Sequence, residues 1–177
     1  MYSSFTDFFY FINLFKYSGI YAPIILHIFS LVLLKNKVNY LSFYIVGTIF
    51  NVILNIILKL IFKEPRPKKN ARIMEIAIEN NYDFDFDKYG MPSGHAQQCA
   101  FSLIFITLVL NNPFFSSIYL GVTLLTFLQR YIYLDHSILQ LIVGFCIGIG
   151  IGYLFYTICR KYIQGNIKMR PDDFAPR

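Results

Sequence analysis

The sequence predicts an all-α protein: a polytopic transmembrane helical bundle of about five spans, in one domain covering residues 1–177. Three observations predict it. Hydrophobic residues make up 56% of the chain and charged residues only 15%, a balance typical of integral membrane proteins and rare in soluble domains. The apolar residues are gathered into long runs joined by short polar connections. The one long polar insertion, residues 63–92, stands between the second and third runs.

Each element follows from the runs in turn, at roughly 17–25 residues for a span. Residues 1–17 begin MYSSFTDFFYFINLF, with no basic region and with Asp7. They predict an aromatic segment lying in the membrane interface rather than a cleavable leader. The first span is Gly19–Leu34. The second is Tyr40–Phe62, after the connection LKNKVN. The third, Ala96–Leu110, is the shortest and takes part of Pro92–His95 as its first turn. The fourth is Phe114–Leu134, after NNPFF, and the fifth is Ile138–Cys159. In the long loop, EPRPKKN is a Pro-punctuated turn, ARIMEIAIEN has a weak helical period, and NNYDFDFDKYG is acidic and aromatic. Residues 161–177 form a polar tail. Gly144, Gly148 and Gly152 recur every fourth residue in the fifth span, a small-residue face for close helix packing.

The net charge of +6 does not indicate nucleic acid, because the basic residues are scattered between apolar runs with no basic stripe. They suit anionic headgroups beside the spans, so the bilayer and a membrane lipid are the expected partners. Cys99, Cys146 and Cys159 all lie in apolar runs, with neither metal-ligand spacing nor a disulfide framework. No cofactor or metal is expected.

A handful of polar residues need a reason, because polar groups in a membrane are expensive. Singly, each has a plain one. Lys59 can snorkel, Arg66 sits in a loop, Ser93 can cap a helix, and Arg130 and His136 can lie at the interface. Span parity joins them. The chain crosses twice after Arg66 and returns to the same face, so Lys59, Arg66, Ser93, Gly94, His95, Arg130 and His136 meet there. Cations and a helix start suit a phosphate. Histidine can move protons, or attack phosphorus, near neutral pH. No carboxylate cluster offers a site for magnesium or zinc. The implied chemistry is metal-free phosphoryl transfer.

These residues resemble the motifs of the type 2 phosphatidic acid phosphatase superfamily. Its first motif, Lys, six residues, then Arg-Pro, stands as KLIFKEPRP from Lys59 to Pro67. Its second, Pro-Ser-Gly-His, is intact at Pro92–His95. Its third, Ser-Arg, five residues, His, three residues, Asp, stands as QRYIYLDHSILQ, with Gln129 for Ser and Gln140 for Asp. The second departure looks like the dolichyl diphosphate phosphatase branch, and EPRP and YGMPS are similar to that branch's words. The resemblance implies that His136 attacks phosphorus and that His95 protonates the leaving oxygen and then activates water. It implies that Lys59, Arg66 and Arg130 clamp the phosphoryl oxygens, that Ser93 and the Gly94 N–H complete the cradle, and that Gln140 orients His136. Asp135 is expected to face away from that imidazole, since neighbouring helical residues point about 100° apart.

The expected activity is hydrolysis of a lipid-linked phosphate, a polyprenyl diphosphate of the dolichyl type to its monophosphate. Phosphatidic acid or another lipid monophosphate is the alternative substrate. A non-catalytic lipid-phosphate-binding membrane protein is the alternative of another class. Lys35, Lys37, Arg160, Lys161, Lys168 and Arg170 crowd the face opposite the site. By the positive-inside rule the site then faces a lumen or the extracytoplasmic side, with the endoplasmic reticulum a fitting membrane.

Overall fold

The computed structural model describes residues 19–67 and 88–165. The expected interfacial segment at the N-terminus, the ARIMEIAIEN stretch and the tail beyond residue 165 lie outside the described residues. Five helices make up the fold: α1 (Gly19–Leu34), α2 (Val38–Phe62), α3 (Gly94–Leu110), α4 (Pro113–Ile132) and α5 (Ile138–Gly165). No strand occurs among the described residues; extended chain pairs only at an isolated antiparallel bridge between Pro65 and Tyr89.

Local chemistry sets the helix ends. α2 closes at Lys63, which takes a left-handed conformation (φ 49°) and returns its N–H to the Lys59 carbonyl. Ser93 caps α3, its hydroxyl accepting the Ala96 N–H at 3.5 Å. α3 closes at Asn111, again left-handed. Asn112 then caps α4 by accepting the Phe114 N–H at 2.9 Å, with Pro113 at the first helical position, where its missing N–H costs nothing.

α4 stops two residues before the expected Leu134. Leu134 adopts φ 58°, and its N–H bonds the Tyr131 carbonyl at 3.1 Å while the Asp135 N–H bonds the Arg130 carbonyl at 3.0 Å. That pair of bonds is a Schellman closure, with leucine where glycine is usual. α5 runs past its expected end at Cys159 as far as Gly165, so the stretch expected to open a polar tail at residue 161 is helical.

α3 is the hub, packed against α2, α4 and most extensively α5. Hence it is buried nearly all round from Ala96 to Ser102. The glycine face of α5 makes this approach possible. A Cβ at Gly144 would strike the Ser93 carbonyl, one at Gly148 the Gln97 carbonyl, and one at Gly152 the Ile104 side chain and the Phe101 carbonyl. The three positions are packing positions, as their spacing predicted.

The interior is mixed: Leu26, Tyr40, Tyr44, Phe101 and Phe105 belong to an apolar core, and a set of polar groups is buried beside it. Asn51, Asn55 and Lys59, at intervals of four on α2, are all buried. Gln97 on α3 donates to Asn51 Oδ1 at 2.7 Å and accepts from Asn55 at 2.8 Å. His27 ties α1 to Tyr44 of α2 at 2.6 Å and to Gln98 of α3 at 3.2 Å. Meanwhile Ile49, Ile53 and Ile57 of α2 and Leu124 and Leu128 of α4 are exposed. α2 and α5 are each long and apolar enough to cross a membrane, and only 22% and 33% of their most apolar windows is buried in the protein. The core helix of a soluble protein would be mostly buried instead. α1 and α3 are shorter apolar helices.

Candidate active site

Five helix ends converge: the starts of α1, α3 and α5 and the ends of α2 and α4. The two ends of the long insertion are pinned there too. Gly90 N–H donates to the Glu64 carbonyl at 2.8 Å, beside the Pro65–Tyr89 bridge. Ser93 N–H then donates to the Gln140 carbonyl at 3.0 Å, joining the start of α3 to that of α5. Three stretches far apart in sequence are thereby locked together by main-chain bonds.

His136 sits at the centre, two residues beyond Leu134, and is only 1% exposed. Its Nδ1 lies 3.0 Å from the Gly90 carbonyl oxygen and 3.3 Å from Gln140 Oε1. A carbonyl can only accept, so Nδ1 carries the proton whichever way the Gln140 amide is assigned. The lone pair is therefore on Nε2, which is buried and has no hydrogen-bond partner among the described residues. Burial, then the charges of Arg66, Lys59 and Arg130, hold the His136 imidazole well below its usual value of 6.5. The ring is neutral at pH 7, as a nucleophile must be.

Gln140 is held at every polar atom. Its Oε1 accepts from Ser137 N–H at 3.2 Å as well as facing His136. Its Nε2 donates to Glu64 Oε1 at 2.7 Å and to the Pro65 carbonyl at 2.9 Å. Gly90 makes the room, since a Cβ there would overlap the Gln140 amide.

The three cations surround the histidines, and all three are buried. Lys59 comes from the last turn of α2. Arg66 donates to the Asp135 carbonyl oxygen at 3.4 Å. Arg130 forms an ion pair with Asp135 at 2.9 Å, reaches the Gly19 carbonyl at 3.4 Å and lies 2.7 Å from His95 Nε2. His95 Nε2 is also 3.1 Å from the Ile20 carbonyl. It cannot accept from Arg130 and donate to Ile20 at once. The shorter contact, to a permanently charged donor, favours a neutral His95 with its proton on Nδ1.

The structure thus gathers Lys59, Arg66, Ser93, Gly94, His95, Arg130, His136 and Gln140 at one end of the bundle. Asp135 pairs with Arg130, and it and His136 lie in the bend between α4 and α5 rather than on a helix as expected. Gln129 is buried, packed where a Cβ at Gly19 would overlap it. The Gly90 carbonyl, Glu64 and the start of α1 were missed. A backbone carbonyl leaves no mark in a sequence, and Glu64 reads as one residue of a turn. The start of α1 had a signal: the same parity count puts Gly19 on the site's face.

The sequence profile of the PAP2 superfamily matches residues 40–164, most of the chain. The chain belongs to the PAP2 superfamily. No curated protein and no solved structure matches it. The PAP2 match covers nearly all of α2 through α5 and takes in Lys59, Arg66, Ser93, Gly94, His95, Arg130, His136 and Gln140, with α1 and its Gly19 and Ile20 carbonyls outside it. PAP2 proteins are phosphatases, so membership supports a hydrolase acting on lipid phosphates. It also agrees with the two membrane-length helices in assigning a membrane protein.

Proposed function

We propose that the protein is a multi-pass membrane enzyme that hydrolyses a polyprenyl diphosphate to its monophosphate through a phosphohistidine on His136. One observation carries the chemistry: the buried Nε2 of His136 holds a lone pair and no partner among the described residues, while Nδ1–H is tied to the Gly90 carbonyl.

The reaction has two steps. His136 Nε2 forms a bond to the terminal phosphorus while the phosphorus–oxygen bond to the lipid monophosphate breaks. His95, protonated, gives its proton to that leaving oxygen. Water then attacks phosphorus, the nitrogen–phosphorus bond breaks, and His95 takes the proton from water. Lys59, Arg66 and Arg130 stabilise the charge on the transferring group, the expected main source of rate. Ser93 and the Gly94 N–H lie at the start of α3, where an anion is favoured. Arg130 must turn from His95 Nε2 toward the phosphoryl oxygens as substrate binds, and the incoming dianion favours a proton on His95. Three fixed cations suit direct anion binding.

The outward-facing apolar residues support five spans. Even α3, 17 residues long, rises about 26 Å, close to the ~30 Å hydrocarbon core. A site at helix ends suits a substrate whose tail stays in the bilayer. The words EPRP and YGMPS and the glutamine at 140 favour the dolichyl-type branch. The basic residues at the opposite end favour a luminal site.

The test is phosphate release by purified protein in EDTA, from polyprenyl diphosphate and from phosphatidic acid. Faster release from the diphosphate is expected, as is its abolition by His136→Ala. Preference for phosphatidic acid would reassign the substrate. Binding of either lipid without release would make the protein a lipid-phosphate binder, and wild-type rates in His136→Ala would remove the nucleophile.

A further inference from the structure

We infer that Glu64 is a positioning residue for His136 that acts through the Gln140 amide, supplying the negative charge that the amide lacks. The inference rests on His136 being the nucleophile. When Nε2 bonds to phosphorus, the imidazole becomes cationic, and a negative charge at its Nδ1 edge stabilises that state. The groups at that edge are the Gly90 carbonyl and the Gln140 amide oxygen, both neutral. The other charged groups bearing on the ring, Arg66, Lys59, His95 when protonated and Arg130, are cations and oppose the change.

Glu64 is the carboxylate joined to this edge. It is half-buried, and its Oε1 accepts from Gln140 Nε2 at 2.7 Å, the short distance of a charge-assisted bond. The chain of groups runs carboxylate, amide N–H, amide oxygen, imidazole N–H. Each bond in such a chain polarises the next. Glu64 also restricts how the amide can lie. A carboxylate only accepts, so it holds the Gln140 NH₂ toward itself and the oxygen toward His136. Pro65, beside it in sequence, adds the second acceptor at 2.9 Å. The same residue therefore carries the charge and fixes the amide's direction.

Exchanging the two groups tests this. Glu64→Gln keeps an acceptor and removes the charge; kcat should fall about tenfold with KM little changed, since the phosphate clamp is untouched. Gln140→Glu sets two carboxylates against each other, and kcat should fall about 100-fold or more. The double variant Glu64→Gln/Gln140→Glu puts a carboxylate directly on Nδ1–H with an amide behind it. It should recover to within about tenfold of wild type, incompletely because the Pro65 carbonyl loses its donor. A second readout needs no turnover: ¹⁵N-histidine NMR, with His136 assigned by its loss in His136→Ala. Glu64→Gln should make the His136 ring titrate at lower pH. If the wild type releases no phosphate, the proposed function fails, and this shift alone still decides Glu64's role. An unshifted His136 in Glu64→Gln, or a wild-type kcat in that variant, would overturn the inference. Either result would leave Glu64 as a loop tether.

Discussion

His136 is held neutral in a crowd of cations. Burial, then Arg66, Lys59 and Arg130, depress its folded pKa below the unfolded value of 6.5. In the window below that value the unfolded chain binds a proton that the folded one refuses. Stability from this residue is therefore complete above the window and is lost as pH falls into it. Thermal unfolding in detergent at about pH 5 and about pH 7.5 should show a larger loss on acidification for wild type than for His136→Asn. The same neutrality would keep the proposed nucleophile available, so the acid limb that His136 imposes on kcat/KM should lie below 6.5. Gln140 offers a second test at this scale. Gln140→Leu strips part-buried partners from Ser137 N–H, the Pro65 carbonyl and Glu64, each lost bond being worth about 0.5–1.5 kcal/mol. It should lower both melting temperature and kcat. Gln140→Asp should be no better than wild type, because a shorter carboxylate facing Glu64 neither donates nor reaches. An Asp variant faster than wild type would make the glutamine a mere lapse from the superfamily pattern.

The glycines of α5 divide at the level of the element. Gly144, Gly148 and Gly152 touch α3, whereas a Cβ at Gly150 would meet nothing within 4 Å. Gly148→Leu should force α5 off the Gln97 carbonyl and disturb the Asn51–Gln97–Asn55 bonds behind it, at a cost of about 1–3 kcal/mol or more for overpacking. Gly150→Ala should be neutral or stabilising by up to about 1 kcal/mol from helix propensity. Thermal unfolding of the two variants checks this contrast on one helix, and equal effects would mean that α3 and α5 do not pack as described. The end of α4 teaches a different lesson. Leucine in a left-handed conformation costs roughly 1–2 kcal/mol against glycine, and nothing in its identity announces it. The expected span ran on to Leu134 for that reason. The chain turns there all the same, and the turn delivers His136.

The outer faces of the long helices are apolar across the whole molecule. Ile53 is 51% exposed near the middle of α2. On a soluble protein Ile53→Lys would be close to neutral; facing lipid it should cost about 2.5–3.5 kcal/mol. Reduced insertion or thermal stability in vesicles is expected, and an unaffected variant would contradict a lipid-facing α2. Much at this scale was legible in the sequence. Long apolar runs mark helices whatever they pack against, so all five were found to within a few residues at most ends. Parity placed Lys59, His95 and His136 at one end of the bundle, because α3 and α4 together return the chain to the end it left. What stayed hidden depends on pairing across the fold: Glu64 against Gln140, Gly90 against His136, Arg130 against Asp135. Each partner is an ordinary residue until its neighbour is known.

The space above Gly90 also constrains substitution. The Gln140 amide occupies the volume that any side chain at position 90 would fill. While Gln140 keeps the four bonds that hold its amide, position 90 is not free to drift, and two sites 50 residues apart are tied to one another by one missing carbon.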